Sequence, residues 1–260
     1  MPELPEVETV VRSVAPHLIG RRIVSASFTS RFVTPGNRKK LAERVAGRTI
    51  NHVRRRGKFI VMTLDEGALS IHLGMTGKLL MDGPKGAHTH GVFALDRGTL
   101  LYDDPRQFGR IEWSPRRIDR LGPEPLEIGL QDFVTRLRSR KTRVKPLLMN
   151  QSFLAGLGNI YVDEALFAAG IHPLAIASRV SEPRAAKLHQ AIREILTAAI
   201  EHRGSSISDY VDAEGKRGEF QDLHRAYGRE GEPCLKCGAA IVKIVVGQRG
   251  THYCPKCQRR

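Results

Sequence analysis

The chain opens Met1-Pro2-Glu3-Leu4-Pro5-Glu6, and the chemistry available there depends on Met1. Removal of Met1 turns Pro2 into a free secondary amine with the Glu3 carboxyl beside it. Such an amine attacks an aldehyde-like carbon and forms a charged iminium, a form of covalent catalysis. An α-amino group has a pKa of about 8 against about 10.4 for lysine, so near neutral pH the terminus is richer in the neutral nucleophile. The same residues also read as a helix start, since proline is tolerated in a first turn and glutamates there complement the macrodipole. A second constellation stands at the other end: Cys234-Leu-Lys-Cys237 and Cys254-Pro-Lys-Cys257 hold all four cysteines. Two such pairs fit the tetrahedral thiolate shell of one zinc ion. Two disulfides are the alternative, disfavoured because no secretory signal precedes them. A shell closed by four thiolates leaves no open position, so the ion would be structural.

The elements that must position these groups follow from periodicity. Val7, Val10, Val11, Val14 and Leu18 recur at helical spacing, with Gly20 as the stop. Short β-rich runs then succeed one another: Ile23–Phe28, Phe59–Leu64, Leu69–Leu73, Val92–Leu95, Leu100–Tyr102 and Ile111–Trp113, divided by Gly, Pro and Asp turn signals. They predict a sandwich or barrel. Gly122-Pro-Glu-Pro125 reads as a linker, and helical stretches follow around 130–140, 143–151, 160–169 and 182–202. Between the cysteine pairs, Ala240–Val246 and Thr251–Tyr253 alternate as a two-stranded ribbon would. The expected organisation is an α+β chain of three parts. Residues 1–122 form a helix plus β-sandwich, 123–226 a helical domain, and 227–260 a zinc ribbon.

Composition points to the partner. The balance of 42 Lys+Arg against 27 Asp+Glu gives a net charge of +15, spread over clusters, which fits a polyanion such as nucleic acid. No apolar run is long enough to span a bilayer, and the polar start lacks a signal peptide's apolar core, so cytosol or nucleoid is expected and no membrane partner. With 41% hydrophobic residues the chain has material for proper cores.

Five motifs occur in order: the opening Pro2–Glu8, His72-Leu-Gly-Met-Thr-Gly77, Asp104-Pro-Arg-Gln-Phe-Gly109, Gly156-Leu-Gly-Asn-Ile-Tyr161 and the cysteine pairs. Together they resemble the bacterial formamidopyrimidine-DNA glycosylases over nearly the whole chain. The resemblance implies a bifunctional glycosylase and AP lyase acting on oxidised purines in damaged double-stranded DNA, probed by one protein copy per duplex. It implies Pro2 as nucleophile at the sugar C1′, Glu3 as proton donor and acceptor, and a helix–two-turn–helix element in the middle domain. Lys58 would contact phosphates at the lesion and, as a cation near the terminal amine, favour its neutral form. Lys58 and Arg249 are the implied proton donors for β- and δ-elimination. Arg54 and Arg55 are expected to be solvated, and Glu6 to lie near the extruded nucleotide.

Extruding a base costs a few kcal/mol and leaves a hole to fill. A thioether, a guanidinium and a phenyl ring on turns, here Met75, Arg106 and Phe108, suit a wedge between base steps. Arg106 is also suited to pairing with the orphaned base. Gln107 departs from the second arginine usual in the family, implying one phosphate contact fewer. Asn159, in a Gly-rich turn that lets amides approach phosphates, and Arg249 on the ribbon are the remaining backbone grips. His72 and Tyr227 are further phosphate-contact candidates by motif match. Lys145 and the loop Glu214–Phe220 correspond to regions that meet the damaged base. Two other readings stand: a zinc-ribbon DNA-binding protein without catalysis, and an endonuclease VIII-like glycosylase for oxidised pyrimidines.

Overall fold

The computed structural model describes residues 1–114, 117–207 and 210–260. The chain divides into two compact units, Met1–Arg120 with His202–Glu219, and Leu121–Glu201 with Phe220–Arg260. Residues 202–219 therefore fold with the N-terminal part.

In the first unit helix α1 (Leu4–Leu18) starts after Glu3, with Pro5 rather than Pro2 in its first turn. Glu6 Oε2 accepts the Glu3 backbone N–H at 2.7 Å, which satisfies an otherwise orphaned donor of the helix start. The valine stripe and Leu18 are fully or almost fully buried. Strand β1 (Ile23–Phe28) leads into α2 (Arg38–Val45), and seven further strands follow: β2 (Ile50–Arg56), β3 (Phe59–Leu64), β4 (Ala68–His72), β5 (Lys78–Met81), β6 (Thr89–Leu95), β7 (Thr99–Asp103) and β8 (Arg110–Trp113). They form two antiparallel four-stranded sheets, ordered β1-β6-β7-β5 and β2-β3-β4-β8. The inner faces of both sheets and the α1 stripe share one hydrophobic core around Val10, Ile23, Ile60, Ile71, Phe93 and Tyr102, so the expected β-sandwich is present.

The periodicity argument passes over β2, β5 and α2. Strand β2 reads Ile-Asn-His-Val-Arg-Arg-Arg and buries only Ile50 and Val53, so its polar side obscures the alternation. Helix α2 carries just two buried residues, Leu41 and Val45, behind an Asn37 cap whose side chain accepts the Lys40 N–H.

In the second unit the helices are α3 (Leu130–Arg138), α4 (Val144–Met149), α5 (Asn159–Ala169) and α6 (Glu182–Glu201). Helix α5 is buried on nearly all sides and ends at Gly170, whose φ of +70° is the left-handed cap glycine favours. The ribbon pairs β9 (Val242–Val246) with β10 (Arg249–Tyr253) in antiparallel register. Gly247 and Gln248 form its turn, both at positive φ, as a two-residue hairpin turn of the primed type requires. Among the described residues no helix is long and apolar enough to cross a membrane.

Candidate active site and nucleic-acid interface

In the first unit Pro2, Glu3 and Lys58 are all buried. Lys58 follows Gly57 in the two-residue turn between β2 and β3, and Gly57 supplies the positive φ of 56° that this tight connection needs. Arg55 fixes the turn against α1. Its guanidinium binds Glu8 Oε2 at 3.1 Å and donates to the Gly57 carbonyl at 3.1 Å. Arg55 thereby ties the turn carrying Lys58 to the helix that begins two residues after Pro2. Its side chain is only 8% exposed, so the expectation of a solvated Arg55 is corrected, whereas Arg54 is exposed as expected.

Glu6, expected near an extruded nucleotide, is instead engaged within the protein. One carboxylate oxygen takes the Glu3 N–H and the other takes the Ser205 N–H at 2.8 Å. A Cβ on Gly204 would lie 2.7 Å from that second oxygen, so the close approach depends on glycine. The loop that follows is anchored too. Asp212 is buried, pairs with Arg203 and accepts the N–H groups of Glu214 and Lys216. Gly218 N–H donates to Ser206 Oγ at 2.8 Å.

His72 sits at the end of β4 opposite Phe59, their rings 4.9 Å apart. Gly74 N–H donates to its Nδ1 at 3.1 Å, which leaves the ring proton to Nε2 in the neutral form. Burial, with Lys58, Arg117 and Arg110 nearby, pushes its pKa down to about 4. His72 is therefore a neutral N–H donor at neutral pH.

Met75 and Phe108 are the large apolar residues this region turns outward, at 40% and 51% exposure. The Arg106 guanidinium lies 4.6 Å from the centre of the Phe108 ring. Both segments are held from below by Asp104, which is fully buried. Its Oδ1 accepts Thr76 Oγ1–H at 2.5 Å and the Arg106 N–H at 3.3 Å. Its Oδ2 accepts the Gly109 N–H at 2.8 Å and the Tyr102 hydroxyl at 3.3 Å. Burial and this adjacent carboxylate raise the Tyr102 pKa, so the phenol stays protonated and donating. Gly74 presses on the Phe108–Gly109 backbone so closely that a Cβ there would be 2.5 Å from the Gly109 nitrogen. Sequence reasoning read this motif for its arginine and phenylalanine and missed Asp104; the signal was a carboxylate directly before the proline of a turn. Gln107 stands at φ 54° and its Oε1 accepts Ser30 Oγ–H at 2.6 Å.

In the second unit the structure corrects Lys145. Expected at the damaged base, it has no exposed surface, and its ammonium donates to Asp163 Oδ1 at 2.6 Å and to the Gly250 carbonyl at 3.4 Å. A charge sealed in the interior needs such a partner, and the pair leaves no ammonium face for a nucleotide. Asp163 Oδ2 accepts the His252 N–H at 2.8 Å, and Asn159 Nδ2 donates to the same Gly250 carbonyl at 2.9 Å. Lys145, Asp163 and Asn159 thus converge on the ribbon beside Arg249, which is exposed at the start of β10. Gln151 braces the glycine turn before α5, accepting the Gly156 N–H at 2.9 Å and donating to the Leu157 carbonyl at 2.8 Å. Tyr227 lies 5.2 Å from the His252 ring, and Glu164 accepts its backbone N–H at 2.8 Å together with those of Arg225 and Ala226.

The four cysteine sulfurs lie within 4.8 Å of one another, with Cys234–Cys257 at 3.9 Å and Cys237–Cys254 at 3.5 Å. Zinc–sulfur bonds of about 2.3 Å at tetrahedral angles put sulfurs about 3.8 Å apart, so the cluster fits one structural zinc and no disulfide is needed. Backbone N–H groups of Lys236 and Cys257 point at the Cys234 and Cys254 sulfurs, each at 3.4 Å, as thiolate ligands favour.

Three family models match in succession. They are the formamidopyrimidine-DNA glycosylase N-terminal domain over residues 1–111, the H2TH domain of the same enzymes over 121–211, and a zinc finger found in FPG and IleRS over 231–260. A relative from Solibacter usitatus named formamidopyrimidine-DNA glycosylase is 59% identical, with both chains covered completely. One of the same name from Herpetosiphon aurantiacus is 47% identical, over 99% of this chain and 100% of its own. Among solved structures, a Lactococcus lactis FPG mutant in complex with Fapy-dG containing DNA superposes with a TM-score of 0.91 at 38% identity, over the full length of both chains. The Lactococcus lactis protein with abasic-site DNA gives 0.89 at 38% identity, covering 99% of this chain and 100% of that one.

Proposed function

The chain belongs to the formamidopyrimidine-DNA glycosylase family, and on that premise we propose that it excises oxidised purines from damaged duplex DNA and then cuts the strand. The observation that carries this reading is the buried Pro2–Glu3 start in the same unit as the Lys58 turn and the Asp104-stapled loops presenting Met75, Arg106 and Phe108. After removal of Met1, the Pro2 nitrogen attacks C1′ while Glu3 moves protons to the ring and the departing base. The resulting iminium acidifies the C2′ hydrogens, so losing one of them expels the 3′ phosphate. A second elimination expels the 5′ phosphate. Lys58 and Arg249 supply the protons these steps need. His72, Asn159, Tyr227 and Arg249 grip phosphates, and the wedge of Met75, Arg106 and Phe108 occupies the space the base leaves.

The functional division follows the sequence, with catalysis in 1–122, the helix–two-turn–helix in 123–226 and the ribbon in 227–260. The protein acts as a monomer in the cytosol. Zinc, held by Cys234, Cys237, Cys254 and Cys257, braces the hairpin that carries Arg249 and takes no part in the chemistry.

Borohydride added during reaction with an 8-oxoguanine:cytosine duplex should trap a covalent protein–DNA adduct. Pro2→Gly, or a terminus still carrying Met1, should abolish it. Trapping that persists with the terminus blocked would show that another amine is the nucleophile. Faster excision of thymine glycol than of 8-oxoguanine would assign the chain to the pyrimidine branch instead.

A further inference from the structure

A second arginine–phenylalanine pair stands beside the wedge. Phe32 is 53% exposed, matching the 51% of Phe108, and the Arg31 guanidinium lies 5.0 Å from its ring centre as Arg106 lies 4.6 Å from that of Phe108. The two loops are joined. Ser30 Oγ–H donates to Gln107 Oε1 at 2.6 Å, and Ser30 Oγ in turn accepts the N–H groups of Phe32 and Val33 at 3.1 and 3.2 Å. On the far side of Phe32, Val33 is fully buried and its carbonyl takes the Ile111 N–H at 2.7 Å. Phe32 is thus pinned through its own N–H and through Val33, with its ring facing solvent.

Exposing a phenyl ring forfeits the gain of burying it, and an exposed cation–π contact returns only part of that gain. The arrangement also keeps Gln107 in the left-handed region that side chains rarely adopt. Its geometry suits a surface whose apolar face is covered on binding and whose guanidinium meets an anion. The surface is continuous with the wedge loop through one hydrogen bond, so both meet the same polyanion.

We infer that Arg31 and Phe32 form a second DNA-contact element beside the wedge, coupled to it through the Ser30–Gln107 bond, with Phe32 packing on a nucleotide and Arg31 pairing with a phosphate. This rests on the DNA reading above, and wild-type trapping tests that reading separately. The experiment measures affinity for a duplex carrying a tetrahydrofuran abasic analogue at fixed salt. Phe32→Ala should weaken binding about tenfold, within the span of aromatic–base stacking, and Phe32→Tyr should restore it. Arg31→Ala should reduce the log K against log salt slope by about 0.9, one phosphate contact. Ser30→Ala should weaken binding on its own yet add little to Phe32→Ala, because both act through one loop. The ring is exposed, so Tm should not move. If wild-type protein traps DNA while Phe32→Ala binds within twofold of it at unchanged Tm, the inference is overturned. If wild-type protein does not trap, the reading beneath it fails instead.

Discussion

The outward-facing loops of the first unit and the ribbon of the second both present side chains proposed to meet DNA, but they are held in different ways. The loops rest on a large core, shared by two sheets and a helix, and their geometry is fixed by neutral donors converging on buried Asp104. The ribbon has a core of only Phe167, Ala226, Cys234, Ile241 and Cys254. Two of those five are metal ligands, and its backbone is anchored by Gly250 and His252 to the buried Lys145–Asp163 ion pair between α4 and α5. The contrast shows what core size permits. A sandwich can spend its rigidity on exposing methionine and phenylalanine, whereas a small hairpin must import rigidity from a metal and from buried charge.

The largest test of that contrast is removal of zinc. Strong chelation should cost about 10 kcal/mol of local folding energy and open residues 230–260 to protease, while Met1–Arg120 keeps its resistance. A ribbon that stays protected without the ion would mean its apolar core suffices after all.

Next comes the buried pair. Lys145→Met leaves Asp163 charged and enclosed, and should cost about 3–5 kcal/mol in urea unfolding. Adding Asp163→Asn should recover most of it, since the remaining carbonyl still serves the His252 N–H. Weakened DNA binding with unchanged stability would instead return Lys145 to a contact role.

A smaller effect belongs to pH. His72 in the first unit and His224 in the second both have pKa values pushed from 6.5 down to about 4, chiefly by burial. Each is neutral in the folded state, while the unfolded chain takes up a proton as pH falls through 6.5. Their contribution is therefore complete above about pH 6.5 and lost toward pH 4, about 3 kcal/mol for His72 at about 1.4 kcal/mol per unit. His72→Gln should flatten the acid limb of a stability–pH curve; an unchanged limb would place the titration elsewhere.

The parts of this chain that were legible in advance are those whose signal is local. The Val7–Leu18 stripe, the strand runs and the two Cys-x-x-Cys pairs each carry their meaning within a few residues. The errors fall where meaning depends on distant partners. Nothing adjacent to Arg55 says that Glu8 waits for it, and nothing near Lys145 announces Asp163. Arg55 is read as solvated from the habit of its residue type, and Lys145 as base-facing from the family region it corresponds to.

By itself the amino-acid order determined the amine that can form at Pro2, the metal its cysteines suit and the basic charge that seeks a polyanion, because these are properties of side chains and their spacing. Tertiary structure alone decided which charges are sealed and which are offered. It buried Lys145 and Asp104 as anchors and left Arg249, Arg106 and Phe108 outside. The reason is physical: burial and hydrogen-bond closure arise from segments far apart in the chain, and desolvation sets whether a polar group is a brace or a hand.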